Sequence, residues 1–429
     1  MSDASGAGDE KGLSKQSGAW VRAWLSRVLA VGISVFLLGC GSGPEQGSEG
    51  SADPSPEGSI LIWHRVDDDY ISPDQQARFE QELLLSADRF KALHPRFRLL
   101  QQAVPAQAFS SRLTSEIRKG LGPDLVILSA EALPDLVDRD VLDAIPKGLV
   151  PYGRFREAAL RQIRHENQLW ALPLNVHVQA LCYDRRKLNE LPGTLTELQT
   201  LAAKGFSLGF PATLFDSFWG VGLFSEKPIR LNDERMDGAT IRAWQDWMGW
   251  QREAVKLPNI VFSPEVRQLE DAFLRQELPM MVCGSYQVAR ILSRWSEADL
   301  GLKGLSLRQG QQASPLLEVV AVGLVKRSSA RQRLAAEQFL AFMTNQQQQT
   351  LASTSQPWFI SANRHVMVDP RLHRLQGVLA AESAIGISLP YSERLGRQQD
   401  WVKAANGAYR RVLAGEMSPS AAAQVLRQP

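Results

Sequence analysis

The sequence holds little with which to do chemistry. Its six histidines are scattered without a metal-ligand spacing, and there is no HExxH. A P-loop, a GxGxxG dinucleotide fingerprint and a GxSxG nucleophile elbow are all missing. Charge of one sign is not in excess either. The formal net charge is +2 over 429 residues, which gives no electrostatic footprint for nucleic acid. Cysteine is sparse, at Cys40, Cys182 and Cys283 only. Cys182 and Cys283 lie inside apolar runs and read as small buried hydrophobes, although an oxidising compartment would also permit a disulfide. No apolar run is long enough to span a bilayer as a permanent helix.

What is present is a soluble globular composition, 44% apolar and 22% charged, in a chain long enough for two packed lobes. Near the start, Arg22 and Arg27 precede the short apolar run Val28–Leu38, "VLAVGISVFLL", which suits the h-region of an export signal. "LLGC" then resembles a bacterial lipobox, implying a lipid on Cys40 and a signal peptide over residues 1–39. Two or three acyl chains there anchor a protein stably where one does not. Residues 40–58 follow, rich in Gly, Ser, Pro and Glu and without a large apolar side chain, as expected of a flexible tether.

The body begins with a β-rich run, "SILIW" at 59–63. Helical spacing of Phe79, Leu83, Leu84, Phe90 and Leu93 follows, ended by His94-Pro95. "FRLLQQAV" (97–104) reads as a strand, 108–120 as a helix closing on glycine, and "DLVILS" (124–129) as a central parallel strand. This alternation predicts a doubly wound α/β lobe. Ligands of such sheets sit beyond the carboxyl ends of the strands, which points to Asp67, Asp68, Ser129 and Glu131. A second set of elements runs from Leu169, with helices near 236–256 and 264–276. Trp244, Trp247 and Trp250 on the first of these predict core or interlobe packing. An apolar run, "LPMMVC" (278–283), stops at Gly284-Ser285-Tyr286 and gives way to a helix.

The ordered pieces "ILIWH", "GLGPDLVILSAEAL", "WALPLNVHVQALCYD", "FLRQELPMMVCGSY", "VVAVGLVKRSS", "DPRLHRL" and "VLAGEMSPSAAA" run from about Ser59 to Arg427. Behind a lipobox and tether, this series resembles the extracellular solute-binding proteins of bacterial ABC importers, carbohydrate type, which include the maltodextrin-binding proteins. The resemblance implies a type II-like periplasmic binding protein fold with two doubly wound α/β lobes. Lobe 1 would comprise 59–174 and 321–366, and lobe 2 would comprise 180–316 and 370–429. Crossings would fall near 174–180, 315–321 and 362–370. It also implies hinge closure on a small carbohydrate or glucoside, delivery to the transmembrane subunits of a permease, and no cofactor, metal or chemistry. The chain would act as an exported, lipid-anchored monomer.

Site residues follow from the same resemblance. Tyr286 takes the place of a ring that stacks on sugar, with Gly284 allowing close backbone approach and Ser285 capping the next helix. A pyranose offers an apolar C–H face to a ring while its hydroxyls need polar partners. Asp67, Asp68 and Glu131 match polar contact positions, and His177 falls on a crossing where maltodextrin binders carry a carboxylate. Asp216, Phe218 and Trp219 lie in a stretch that supplies a stacking ring. Trp401, and after it Tyr391, lies where a late aromatic closes the cleft, while Trp358 belongs to cleft or core. Leu128 stands where maltodextrin binders have an aromatic, so stacking surface for a long glucan is reduced. Other cargoes stay open. Asp67–Asp69 beside Trp63 and Tyr70 would suit a polyamine, whereas none of the six tyrosines is adjacent to another, as ferric binding would favour. An exported glycoside-processing lipoprotein would need two carboxylates across a bond, but no catalytic motif holds them. A sensing lipoprotein would look the same as a transporting one.

Overall fold

The computed structural model describes residues 58–66, 73–189, 191–227, 229, 237–356, 358–367, 373–388 and 395–426. Cys40, Asp67, Asp68 and Tyr391 lie outside the described residues.

Two sheets organise the described chain. The first has eight strands. Along its main path they run Ile360–Ser361, Leu172–His177, Leu316–Val325, Leu125–Ser129, Gly58–Val66 and Phe97–Pro105, with Leu142–Asp143 and Ile387–Ser388 pairing to Leu316–Val325. Gly58–Val66 pairs in parallel with both Phe97–Pro105 and Leu125–Ser129. Helices Pro73–Leu93 and Ala106–Arg118 connect these strands, giving the expected βαβαβ order. Residues Leu125 to Leu128 are all buried, as a parallel strand covered on both faces requires. The long strand Leu316–Val325 enters this sheet antiparallel, pairing Leu324 with Leu125 and Glu318 with His177.

The second sheet has five strands in the order Ile260–Ser263, Leu208–Pro211, Met280–Gly284, Gln179–Asp184 and Leu300–Lys303. Two of its helices, Leu195–Ala203 and Gly238–Ala254, start on side-chain caps that satisfy free backbone N–H groups. Thr194 Oγ1 accepts from Glu197 N at 3.1 Å, and Asp237 Oδ1 accepts from Thr240 N at 2.6 Å. Helix Gly238–Ala254 buries Trp244 and Trp247 completely in the core of this half.

Only Val178 separates the first-sheet strand Leu172–His177 from the second-sheet strand Gln179–Asp184. Alternation along the second strand then divides two cores. Leu181, with Met280 and Val282 opposite, faces a core containing Trp219, Trp244, Trp247 and Tyr409. Ala180 and Cys182, with Met281 and Cys283, face a core continuous with that of the first sheet.

The reading of Cys182 and Cys283 as unpaired hydrophobes is corrected. They form a disulfide across the second sheet, while remaining buried at 0% and 1% exposure. The register explains it. Cys182 lies opposite Met281 and Cys283 opposite Ala180, so the two cysteines are diagonal neighbours on one face of an antiparallel pair.

Candidate functional site

The passage between the sheets forms a corner of polar residues. Asn175, His177 and Gln179 alternate with Val176 and Val178, which are buried at 0% and 2% exposure. His177 Nδ1 lies 3.1 Å from Ser285 Oγ, and its Nε2 lies 3.4 Å from Asn175 Nδ2. With the Asn175 amide donating to Nε2, the ring proton sits on Nδ1 and is donated to Ser285 Oγ. Burial with no carboxylate partner holds the imidazole neutral and pushes its pKa down to about 4.

Opposite His177, the strand Met280–Gly284 ends and helix Ser285–Leu292 begins. Ser285 was expected to cap this helix, but its hydroxyl turns back to the crossing. Its Oγ accepts from Val178 N at 3.2 Å, while its own N–H donates to Val178 O at 2.8 Å. Gln287 does the local bracing instead, its Oε1 accepting from Gly284 N at 2.7 Å and its Nε2 donating to Glu270 Oε2 at 3.2 Å. The Tyr286 ring stands perpendicular to His177, centroids 6.0 Å apart. It also folds over residue 284, where a Cβ would lie 2.3 Å from the ring. Gly284 is therefore required by the ring of Tyr286 itself. From the first half of the molecule, the Gln75 side-chain amide donates to the Tyr286 carbonyl.

A third wall comes from the loop before Phe218–Phe224. Asp216 Oδ2 accepts from the Thr213 hydroxyl at 2.5 Å, and its carbonyl accepts from Gln179 Nε2 at 2.7 Å. Burial raises the Asp216 pKa, opposed by the Thr213 hydrogen bond. Helix Leu395–Leu413 supports this loop, since Asn406 Oδ1 accepts from Leu214 N at 2.7 Å. The same helix sets Trp401 6.4 Å from Phe215, centroid to centroid, with the indole N–H buried and unpartnered.

The first sheet supplies a rim. Glu318 is exposed and pairs in register with His177, and two residues further on Val320 pairs with Ser129. Glu131 follows Ser129 on that edge, exposed and 3.4 Å from Arg65 Nη1.

Tyr286, His177 and Asp216 are thus linked through their neighbours, with Glu131 on the adjoining edge, while Trp401 packs beside Phe215 against the second core. Trp63 and Trp219 do not join this group. Trp63 is 2% exposed under the Arg112 guanidinium, and Trp219 is 1% exposed against Trp247. Neither ring has a face open to a ligand, because each lies on the core side of its element. Phe218 is buried in the same way, and Trp358 packs against the first core beneath Arg78. Sequence reasoning missed Gln179, Thr213, Phe215 and Glu318. The period-2 alternation through His177 could have found Gln179. Glu318 becomes visible only through pairing across 141 residues of sequence.

The surface offers the Tyr286 ring, neutral hydrogen-bonding groups and two rim carboxylates. Among the described residues no group of His, Cys, Asp and Glu could hold a metal ion. No described helix is long and apolar enough to cross a membrane.

A model of the bacterial extracellular solute-binding protein family matches residues 87–367. Solved structures share the fold at low identity. The GacH receptor of Streptomyces glaucescens, solved unliganded and with acarbose, aligns with a TM-score of 0.70 at 17% identity, over 86% of this chain and 96% of that one. The maltose/maltodextrin-binding domain MalE from Bdellovibrio bacteriovorus, bound to maltotriose, gives 0.67 at 17%, over 86% and 97%. The maltose-maltodextrin binding protein of Alicyclobacillus acidocaldarius gives 0.65 at 16%, over 86% and 98%. No curated protein matches the sequence.

Proposed function

Because this chain belongs to the bacterial extracellular solute-binding proteins, we propose that it is the binding component of a sugar ABC importer. It takes a small carbohydrate or glucoside between its two sheets and hands it to a membrane permease. Family membership implies export, and the lipid on Cys40 belongs to this proposal. The observation that carries the sugar reading is the corner of Tyr286 and His177. A ring fixed edge-on to a neutral imidazole offers an apolar face for a pyranose beside groups that hydrogen-bond hydroxyls without requiring charge. Gln179 and Asp216 extend that surface, and the neighbours' ligands, acarbose and maltotriose, are of the same chemical class.

The test is a thermal-shift screen of residues 59–429 against mono- and disaccharides, glucosides, polyamines and amino acids. A ligand at a hundred times its Kd stabilises by about 2.7 kcal/mol, a readable shift. A shift with one sugar class, lost in Tyr286→Ala, is the expected result. A shift with polyamines alone would move the cargo to the acidic rim and overturn the sugar reading while keeping the importer.

A further inference from the structure

The Cys182–Cys283 disulfide sits where the two strands of the binding corner come together. Cys182 is five residues after His177 and three after Gln179, and Cys283 is two before Ser285 and three before Tyr286. The strands it joins are antiparallel, and their last paired residues are Gly284 and Gln179. Immediately beyond that pair lie the bonds that hold the corner together. These are Ser285 N to Val178 O at 2.8 Å, Val178 N to Ser285 Oγ at 3.2 Å, and His177 Nδ1 with Ser285 Oγ at 3.1 Å. The cross-link spans 101 residues of sequence, so it ties together segments that local structure does not.

We infer that Cys182 and Cys283 are positioning residues of the binding site, whose disulfide holds Tyr286 and Ser285 in register with the crossing at His177. This deepens the cleft reading above and rests on it. The physical need is specific. A strand's side chains alternate between faces, so a one-residue slip between these strands would carry Gly284 off Gln179 and turn the alternating side chains of the slipped strand over. The pairing must hold at the terminal residue of its strand, where ladders fray most easily, and hinge motion would load that same point. A diagonal cross-link one and three residues inside the end fixes register without touching the ligand surface. Its complete burial fits a permanent brace and leaves reductants no access to the folded form.

A brace of this kind predicts more than lower stability. In the ligand-free Cys182→Ala/Cys283→Ala variant, amide exchange should speed up about tenfold or more at Val178, Gln179 and Ser285 relative to the cores of both sheets. Affinity for maltose, measured by calorimetry well below the melting temperature, should fall about tenfold. A Cys182→Val/Cys283→Ala variant, refilling the lost volume, should recover only the part of the melting temperature lost to the cavity, and none of the local protection. Acceleration spread evenly over both sheets, with maltose affinity unchanged, would make the disulfide a general stabiliser and overturn the proposal. If the parent chain does not bind maltose, the chosen sugar fails, and the exchange pattern alone still decides the role of the cysteines.

Discussion

The ring of Tyr286 lies so close over residue 284 that an alanine there would place its Cβ 2.3 Å from ring carbon. Residue 284 has an ordinary extended backbone, φ −84°, so an alanine strains nothing in the chain and acts only by displacing the ring. Gly284→Ala should therefore cost ligand affinity about tenfold or more while moving the melting temperature little, and titration of both forms with the ligand from the screen checks it. His177 gives a prediction in pH. Its unfolded imidazole titrates near the ordinary histidine value of 6.5 and its folded one at about 4, so between these values the unfolded chain binds more protons. The stability from its neutral burial is complete above pH 6.5 and is lost as pH falls through that window, by up to about 3 kcal/mol. His64, also lowered by burial but partly offset by Glu80 at 3.0 Å, acts in the same direction. His177→Gln should flatten the fall in melting temperature between pH 7 and 5, and parallel curves for the two proteins would contradict the assignment.

At the scale of elements, the loop Thr213–Ser217 owes its shape to a helix nearly two hundred residues later. Asn406 accepts the Leu214 N–H at 2.7 Å, the Ser217 carbonyl accepts from Trp247 Nε1 at 2.8 Å, and Tyr409 stacks on Trp244. Asn406→Ala would leave the mostly buried Leu214 N–H unpaired, at a cost of about 1–3 kcal/mol. It should also weaken ligand binding, because Phe215 and Asp216 ride on the same turn, whereas Asn406→Asp keeps an acceptor and should lose less. Urea unfolding and affinity of the two variants side by side test this. The element order was largely legible in the sequence, because periodicity and caps act locally. The apolar run 125–128 read as a buried strand and is one, and the Trp244/Trp247 stripe read as core and is core. What escaped was set by pairing between distant segments. The cysteines face one another only once Met280–Gly284 lies antiparallel to Gln179–Asp184. Ser285 does not cap because the helix takes Gly284 as its N-cap, which leaves Ser285 inside the first turn with its hydroxyl on Val178 N and His177 Nδ1. Trp63 and Trp219 share a residue type with a stacking ring, but which face of a strand or turn is covered is decided by the layer packed on it.

For the whole molecule, the decisive feature is that bonds from both halves converge on one turn at the site. The crossing contributes the His177–Ser285 and Val178–Ser285 bonds. The bond from the Gln75 amide to the Tyr286 carbonyl is different in kind, because helix Pro73–Leu93 reaches the turn across the cleft rather than through the chain. Under the hinge closure that the proposed function entails, this bond would hold only while the two halves are close and so would favour the closed arrangement over an open one. A ligand shifts such an equilibrium by its differential affinity, and a built-in contact of the closed form adds to that shift. Gln75→Ala removes the contact and should leave ring, imidazole and carboxylate untouched. Affinity should then fall about fivefold, the scale of a single net hydrogen bond of about 1 kcal/mol, mainly through faster dissociation. Small-angle scattering gives the independent reading. The parent protein should become more compact on adding ligand. The variant should reach the same compact state but only at higher ligand concentration. If the variant matches the parent in both affinity and scattering, closure is governed by the ligand and the crossings alone, and the Gln75 bond is incidental to it.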